Sequence, residues 1–118
     1  MGRLLEAYGQ FGSGVPGKGH RDGGYDNSFI AADPVEAWVL EGAGRHWAAR
    51  RLTDGCASIS NPLSIRGAWD LASGELPPYA LAQGWWPPAQ VAAFDFARAY
   101  SDEHVPRQVS HLRARRSQ

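Results

Sequence analysis

Apolar and polar residues alternate in short runs between residues 27 and 60, and each run ends at a turn signal. Runs of this length between Gly, Pro and Asp residues predict β-strands rather than helices. The expected strands span residues 28–32, 36–41, 45–52 and 56–60. Short turns separate them, at Asp33-Pro34, Gly42–Gly44 and Thr53–Gly55. Because such turns join neighbouring antiparallel strands, we expect a β meander.

Helical spacing of apolar residues is found only outside this region. Arg3–Tyr8 predicts two helical turns that end at Gly9, and Val91–Tyr100 predicts the longest helix of the chain. Between them we expect a loop over Ser73–Pro78 and a short helical turn over Tyr79–Gly84. The combination predicts an α+β fold, in which helices pack on an antiparallel meander.

Two segments carry little that a core would bury. Residues 9–25 hold seven glycines and one proline, which predicts a loop near a functional site. Residues 105–118 are basic and poor in large apolar side chains, which predicts a disordered tail. We therefore expect one domain over residues 1–104 and a tail over residues 105–118.

Composition narrows the classes of function. Twelve basic residues balance twelve acidic ones, which argues against nucleic acid and membrane surfaces as partners. No apolar run approaches the roughly 20 residues of a membrane span, and the first residues do not form a signal peptide. The single cysteine fits a reducing compartment, so we expect a soluble cytoplasmic protein. The histidines lack metal-ligand spacing, and we expect neither metal nor cofactor.

A longer pattern resembles a known family. The string YDNSFIAADPVEAWVLEGAGRHWAARRL, followed by SISNPLSI and a Trp-Asp pair, is similar to the secernin and C69 dipeptidase family of N-terminal-nucleophile hydrolases. The similarity extends over about residues 3–102. It implies a four-layer αββα fold and hydrolysis of the amide bond of a small peptide substrate. In that family a processed N-terminal cysteine attacks the carbonyl, and its own α-amino group is the base.

The resemblance assigns a catalytic role to Asn61, which matches an active-site Asn that stabilises the oxyanion. A rigid amide donor aimed at a developing oxyanion is worth about 2.7–4 kcal/mol of barrier. Asn supplies neutral N–H donors without adding a competing base. The alternative is that Asn61 only caps the turn before Pro62, as Asn often does.

Three further residues are candidates for substrate binding. Asn27 and Ser28 match the Asn-Ser-Phe segment of the family and are expected to line the cleft, although they also suit the turn that begins a strand. Asp70, of the matched Trp-Asp pair, is expected to orient Asn61 or a substrate amine. The alternative for Trp69-Asp70 is a packing role.

The nucleophile of the family has no counterpart in these residues. Met1 and Gly2 precede the matched region, and Cys56 lies inside a predicted strand, which indicates a buried structural thiol. We therefore expect a truncated or split dipeptidase that a missing N-terminal segment complements. An open sheet edge would also favour self-association. The alternatives are a non-catalytic, secernin-like interaction protein and a small Trp-rich module that binds ligands through Trp85-Trp86.

Overall fold

A computed structural model describes residues 1–8, 27–54, 59 and 63–101. Within these residues helices and strands follow one another along the chain and form an α+β structure, as the sequence predicts. The elements are α1 (Gly2–Tyr8), β1 (Ser28–Ala32), β2 (Ala37–Ala43), β3 (His46–Leu52), β4 (Leu71–Ala72), α2 (Leu76–Ala82), a 3-10 helix (Pro88–Ala93) and α3 (Phe96–Tyr100).

The four strands form one antiparallel sheet in the order β1-β2-β3-β4, so neighbours along the chain are neighbours in space. This confirms the predicted meander for β1, β2 and β3. The fourth strand differs from the prediction, because it is Leu71–Ala72. The strand predicted over residues 56–60 lies, apart from Ile59, outside the described residues, and Ile59 is not in a strand.

The turns beside β2 follow from side-chain and backbone chemistry. Before β2, the Asp33 carboxylate accepts hydrogen bonds from the backbone N–H groups of Glu36 and Val35, both at 2.7 Å. These bonds lower the pKa of Asp33. After β2, the hairpin turns at Gly44, whose φ of 62° favours glycine. The hairpin therefore turns later than the predicted Gly42–Gly44, and β2 continues to Ala43.

The two faces of the sheet have different partners. One face carries Ala43 and Ala48 into the core, where they pack with residues of α2, α3 and the connecting segments. The other members of this core are Ile65, Leu76, Ala80, Trp86, Phe94, Phe96, Ala99 and Tyr100. Helix α1 lies on the opposite face, close enough that a Cβ atom on Gly2 would come within 2.4 Å of the Trp47 ring.

Two predicted helix boundaries are wrong. Helix α2 begins at Leu76, inside the segment predicted to be a loop, because Pro77 and Pro78 stand in its first turn. Proline is tolerated there, since the first N–H groups of a helix have no partner within the helix.

The helix predicted over Val91–Tyr100 is divided into the 3-10 helix and α3. Tertiary hydrogen bonds explain the break. The backbone N–H groups of Phe96 and Ala97 donate to carbonyl oxygens of the 65–66 segment, at 3.2 and 2.9 Å. The Asp95 carboxylate accepts from the Arg98 N–H at 2.9 Å and caps the N-terminus of α3.

No helix in the described ranges has the length and apolar character that crossing a membrane requires. The predicted glycine-rich loop over residues 9–25 and the predicted tail over residues 105–118 lie outside the described residues.

Candidate functional site

Glu41 is a buried carboxylate near the end of β2, and only 2% of its surface is exposed. One of its oxygens accepts hydrogen bonds from the backbone N–H groups of Ser64 and Ile65, at 2.7 and 2.8 Å. The other accepts from the Ser64 hydroxyl at 2.5 Å. All three partners are donors, which suits an ionised carboxylate. Glu41 thus fixes the Ser64–Ile65 segment to the sheet.

This segment follows Asn61 and Pro62 in the chain. Asn61, the residue predicted to stabilise an oxyanion, lies outside the described residues, as does Cys56. The described chain resumes at Leu63, which packs against the core, one residue before the anchor on Glu41. The assignment of Asn61 therefore remains a prediction, but the chain just after it has a fixed position.

Asn27 and Ser28 lie at the start of β1, on one edge of the sheet. The Asn27 carbonyl accepts from the Gly42 N–H at 3.0 Å, and Ser28 pairs with Glu41 in the register. These backbone contacts are those expected where a strand begins. Their predicted role in lining the cleft stays a prediction.

Asp70 lies beside β4, on the opposite edge of the sheet. Its backbone N–H donates to the Ala49 carbonyl at 2.9 Å, and its carboxylate accepts from the Arg51 N–H at 2.8 Å. The Asp70 carboxylate therefore accepts from the Arg51 N–H of β3, as the backbone carbonyl of a neighbouring strand would. Three strand spacings, about 14 Å, separate this edge from Asn27, so the structure does not bring the two candidates together.

A groove of about 340 Å³ lies where β3 ends, between residues 50–54 and residues 68–70. Its volume is at the lower end of the roughly 300–1,000 Å³ typical of small-ligand sites. The charged lining residues are Arg50, Arg51, Asp54 and Asp70. Trp69 also lines the groove and is held edge-on by Phe94, with ring centroids 6.1 Å apart.

The charges of the groove are not all paired. The Arg51 side chain forms an ion pair with Glu36 at 3.2 Å. Arg50 forms no ion pair within the described part of the chain. One oxygen of Asp70 binds the Arg51 backbone, and the other has no donor among the described residues. Asp54 also forms no ion pair among the described residues. The groove can thus offer one guanidinium cation, one oxygen of Asp70 and the carboxylate of Asp54 to a ligand.

His46, at the start of β3, belongs to an aromatic cluster that the sequence did not predict. Its ring lies 4.2 Å from the Tyr79 ring and 5.5 Å from the Tyr100 ring. Burial lowers the pKa of His46, and the negative charges of Glu75 and Glu6 oppose this effect. The cluster therefore favours a neutral imidazole.

The remaining members of the cluster are also packed. Trp85 lies 5.6 Å from Tyr79 and 5.4 Å from Tyr100 between ring centroids. The Tyr100 hydroxyl donates to the Leu76 carbonyl at 2.7 Å, and burial raises its pKa. The Trp86 indole donates to the Gln90 carbonyl at 2.8 Å. Both tryptophans of the proposed Trp-rich module are thus engaged within the protein.

Among the described residues, no three His, Cys, Asp or Glu side chains group in a way that would hold a metal ion. No family model matches the chain, and no solved structure matches it. The resemblance to secernins and C69 dipeptidases thus rests on the amino-acid sequence of about residues 3–102.

Proposed function

We propose that this chain is part of an amide-bond hydrolase, a dipeptidase of the secernin and C69 type. The observation that carries the proposal is the anchoring of Ser64 and Ile65 by the buried Glu41 carboxylate. A catalytic amide donor must be held in place before the reaction, because electrostatic stabilisation depends on preorganised groups. Through its bonds to Glu41, the chain is fixed to the sheet at Ser64, three residues after Asn61.

In this proposal Asn61 donates an N–H group to the oxyanion that forms when the peptide carbonyl is attacked. The nucleophile is an N-terminal cysteine that comes from sequence outside these 118 residues. Cys56 cannot serve in the family mechanism, since its nitrogen is part of a peptide bond and offers no free α-amino base.

The proposed architecture is the αββα fold of N-terminal-nucleophile hydrolases. Helices α2 and α3 cover one face of the sheet, and Trp38 and Leu40 are half-buried on the other. Helix α1 contacts that second face at β3. A second sheet packed on the side of Trp38 would complete the four layers, since a sheet buries its apolar faces against other layers.

The test combines the 118-residue chain with the polypeptide encoded directly upstream of its Met1 codon. We expect that polypeptide to carry a cysteine and the mixture to hydrolyse unblocked dipeptides. The activity should require both components and should survive Cys56→Ala. Activity of the chain alone that is lost in Cys56→Ala would contradict the proposal, and so would a mixture without hydrolysis.

A non-catalytic interaction protein of secernin type is the second candidate. The observation that favours it is the face of the sheet that carries the half-buried Trp38 and Leu40 on β2 and, two strands away, Leu71, which is 54% exposed. Apolar surface of this kind marks protein contacts when it is contiguous. This candidate predicts a bound partner protein and no effect of dipeptides on the chain.

A further inference from the structure

We infer that this chain forms a two-fold symmetric dimer in which β1 pairs antiparallel with β1 of a second copy. The inference goes beyond the proposed function and does not rest on it. It names the partner, the register and the hydrogen bonds of the pairing. The two four-stranded sheets join at β1 and form one continuous sheet across the dimer.

The hydrogen bonds at the two ends of β1 show which of its backbone groups point away from β2. At one end the Gly42 N–H donates to the Asn27 carbonyl at 3.0 Å, and at the other the Asp33 N–H donates to the Glu36 carbonyl at 2.9 Å. Hydrogen-bonded and non-hydrogen-bonded pairs alternate along an antiparallel ladder. Odd-numbered residues of β1 therefore bond to β2, and even-numbered residues direct their N–H and carbonyl groups outward.

The outward residues of β1 are Ser28, Ile30 and Ala32, and they are spaced evenly about Ile30. A two-fold axis beside Ile30 places this residue opposite its own copy. The same axis places Ser28 of each chain opposite Ala32 of the other. Each of these facing pairs exchanges two hydrogen bonds, so every outward N–H and carbonyl group of β1 gains a partner.

The sequence of β1 has none of the features that prevent pairing at an exposed edge. Ser28–Ala32 contains no charged residue and no proline, which are the usual means of blocking such an edge. The other edge of the described sheet is different, because β4 has only two residues and lies next to the Asp70 carboxylate. Pairing through β1 alone gives a closed dimer rather than a filament.

The side chains of β1 also match a second copy. Ile30, which is 45% exposed, meets its own copy on the face of the sheet that carries Val39. On the opposite face, which carries Trp38, Phe29 lies diagonally across from the exposed Ala31 of the second copy. Both faces of the new strand pair are therefore apolar, which favours cross-strand packing.

The charge next to β1 agrees with this register. Asp33 follows the last residue of the strand, and the two-fold axis places it opposite Asn27 of the second copy. It does not face another carboxylate, and like charges placed directly opposite each other would weaken the pair.

The interface is small, since β1 contributes five residues from each chain. Interfaces that bury less than about 1,200 Å² are typical of weak and transient complexes. We therefore expect a dimer that dissociates in the micromolar range and forms as the protein concentration rises.

The first experiment compares the wild-type chain with Ala32→Pro and Ala32→Val by sedimentation velocity over a range of concentrations. Proline removes the outward N–H of residue 32 and no bond to β2, which is the situation in which edge strands tolerate proline. Valine has a side chain with the same number of heavy atoms and keeps the N–H. It is therefore the matched control.

We expect the wild type and Ala32→Val to dimerise alike. The dissociation constant of Ala32→Pro should rise at least about tenfold, because the two-fold axis removes the lost bond twice. Circular dichroism should show that the Ala32→Pro monomer keeps its fold. A wild-type chain that stays monomeric at every concentration overturns the inference, and so does a folded Ala32→Pro that dimerises as tightly as Ala32→Val.

The second experiment tests the register without proline, by disulfide cross-linking in a Cys56→Ala chain that has no other thiol. Facing Cα atoms of a hydrogen-bonded pair lie about 5.5 Å apart, within the range that a disulfide spans. Ile30→Cys should form a covalent dimer on mild oxidation, because residue 30 faces its own copy. Ser28→Cys and Ala32→Cys should each cross-link poorly alone and efficiently when mixed.

The control for random collision is Val35→Cys, at a position that is 86% exposed in the turn after β1. It should cross-link much less than Ile30→Cys. The inference is overturned if Val35→Cys cross-links as efficiently as Ile30→Cys, or if mixing Ser28→Cys with Ala32→Cys gives no more covalent dimer than either variant alone. This result decides the inference even if Ala32→Pro does not fold.

Discussion

Glu41 joins two parts of the chain that are 23 residues apart, the end of β2 and Ser64. A carboxylate inside a strand would ordinarily face solvent, because burying an unpaired charge is unfavourable. Here the donors of Ser64 and Ile65 compensate the buried oxygens. The same bonds position the chain next to Asn61, so the residue has both a structural and a proposed functional consequence.

Replacing Glu41 should test this anchor. Glu41→Ala leaves the N–H groups of Ser64 and Ile65 without their acceptor, and we expect a loss of about 3 kcal/mol in the free energy of unfolding. Urea denaturation followed by tryptophan fluorescence measures the loss. Glu36→Gln removes a partly exposed carboxylate just before β2, and it should change stability by less than about 0.5 kcal/mol. Equal stability of Glu41→Ala and Glu36→Gln would refute the anchor.

His46 should give the protein a dependence on pH. Because burial lowers its pKa on folding, the unfolded chain binds the proton more tightly than the native one. This contribution to stability is complete above the ordinary pKa of 6.5 and is lost as the pH falls below that value. We expect an NMR titration of the His46 ring to give a value under 6.5. The decline in stability below this pH should be smaller in His46→Gln, and a native pKa above 6.5 would contradict the assignment.

Among the elements, α3 is the one whose start depends most on a single side chain. Asp95 caps it by accepting from the Arg98 N–H and also pairs with the Arg66 side chain at 3.3 Å. We expect Asp95→Ala to lower the free energy of unfolding by about 1 kcal/mol, mainly through the lost cap. Asp95→Asn keeps a capping oxygen and removes only the exposed ion pair, so it should stay close to the wild type. The idea fails if Asp95→Asn is as destabilised as Asp95→Ala in urea denaturation.

The strands show where sequence patterns are sufficient. The bounds of Ser28–Ala32 were predicted because an apolar run meets Asp33-Pro34. The strand β3 was predicted because the length of its segment and the turns on both sides favour a strand over a helix. Leu71–Ala72 could not be predicted in the same way, since two residues have no measurable period. Its strand character comes from pairing with Ala48 and Ala49.

The helices show the opposite case, in which tertiary contacts override a local pattern. The apolar spacing of residues 91–100 is helical, yet the carbonyl groups of the 65–66 segment bind the N–H groups that begin α3. The candidate site was predictable only in part for the same reason. Asp70 was predicted as a candidate from the resemblance of the Trp-Asp pair. Arg50 lies in the same groove because β3 pairs with the chain around Asp70, which no local pattern reveals.

For the molecule as a whole, the edge formed by β1 is the feature with the largest consequence. No described strand pairs with the outer side of β1, and Ile30, in the middle of that strand, is 45% exposed. An open strand edge with apolar side chains is a template for pairing with another chain. This is the edge at which a complementing segment or a second copy would add.

We expect the chain alone to form dimers or larger oligomers in light scattering. Ile30→Lys should shift the population toward the monomer, since a lysine on an edge strand opposes pairing. Val35→Lys adds the same charge at an 86% exposed apolar position in the turn after β1 and should leave the oligomers unchanged. A sharp monomer peak for the wild-type chain would contradict this expectation.

In the proposed reaction Asn61 donates to an oxyanion formed from a dipeptide amide. The most direct measurement compares the hydrolysis of Ala-Ala by wild-type chain and by Asn61→Ala, each mixed with the polypeptide encoded upstream. We expect kcat to fall by roughly 10²–10³-fold while KM changes little, because the bond is made only in the transition state. Equal kcat values for the two proteins, or a change confined to KM, would contradict it.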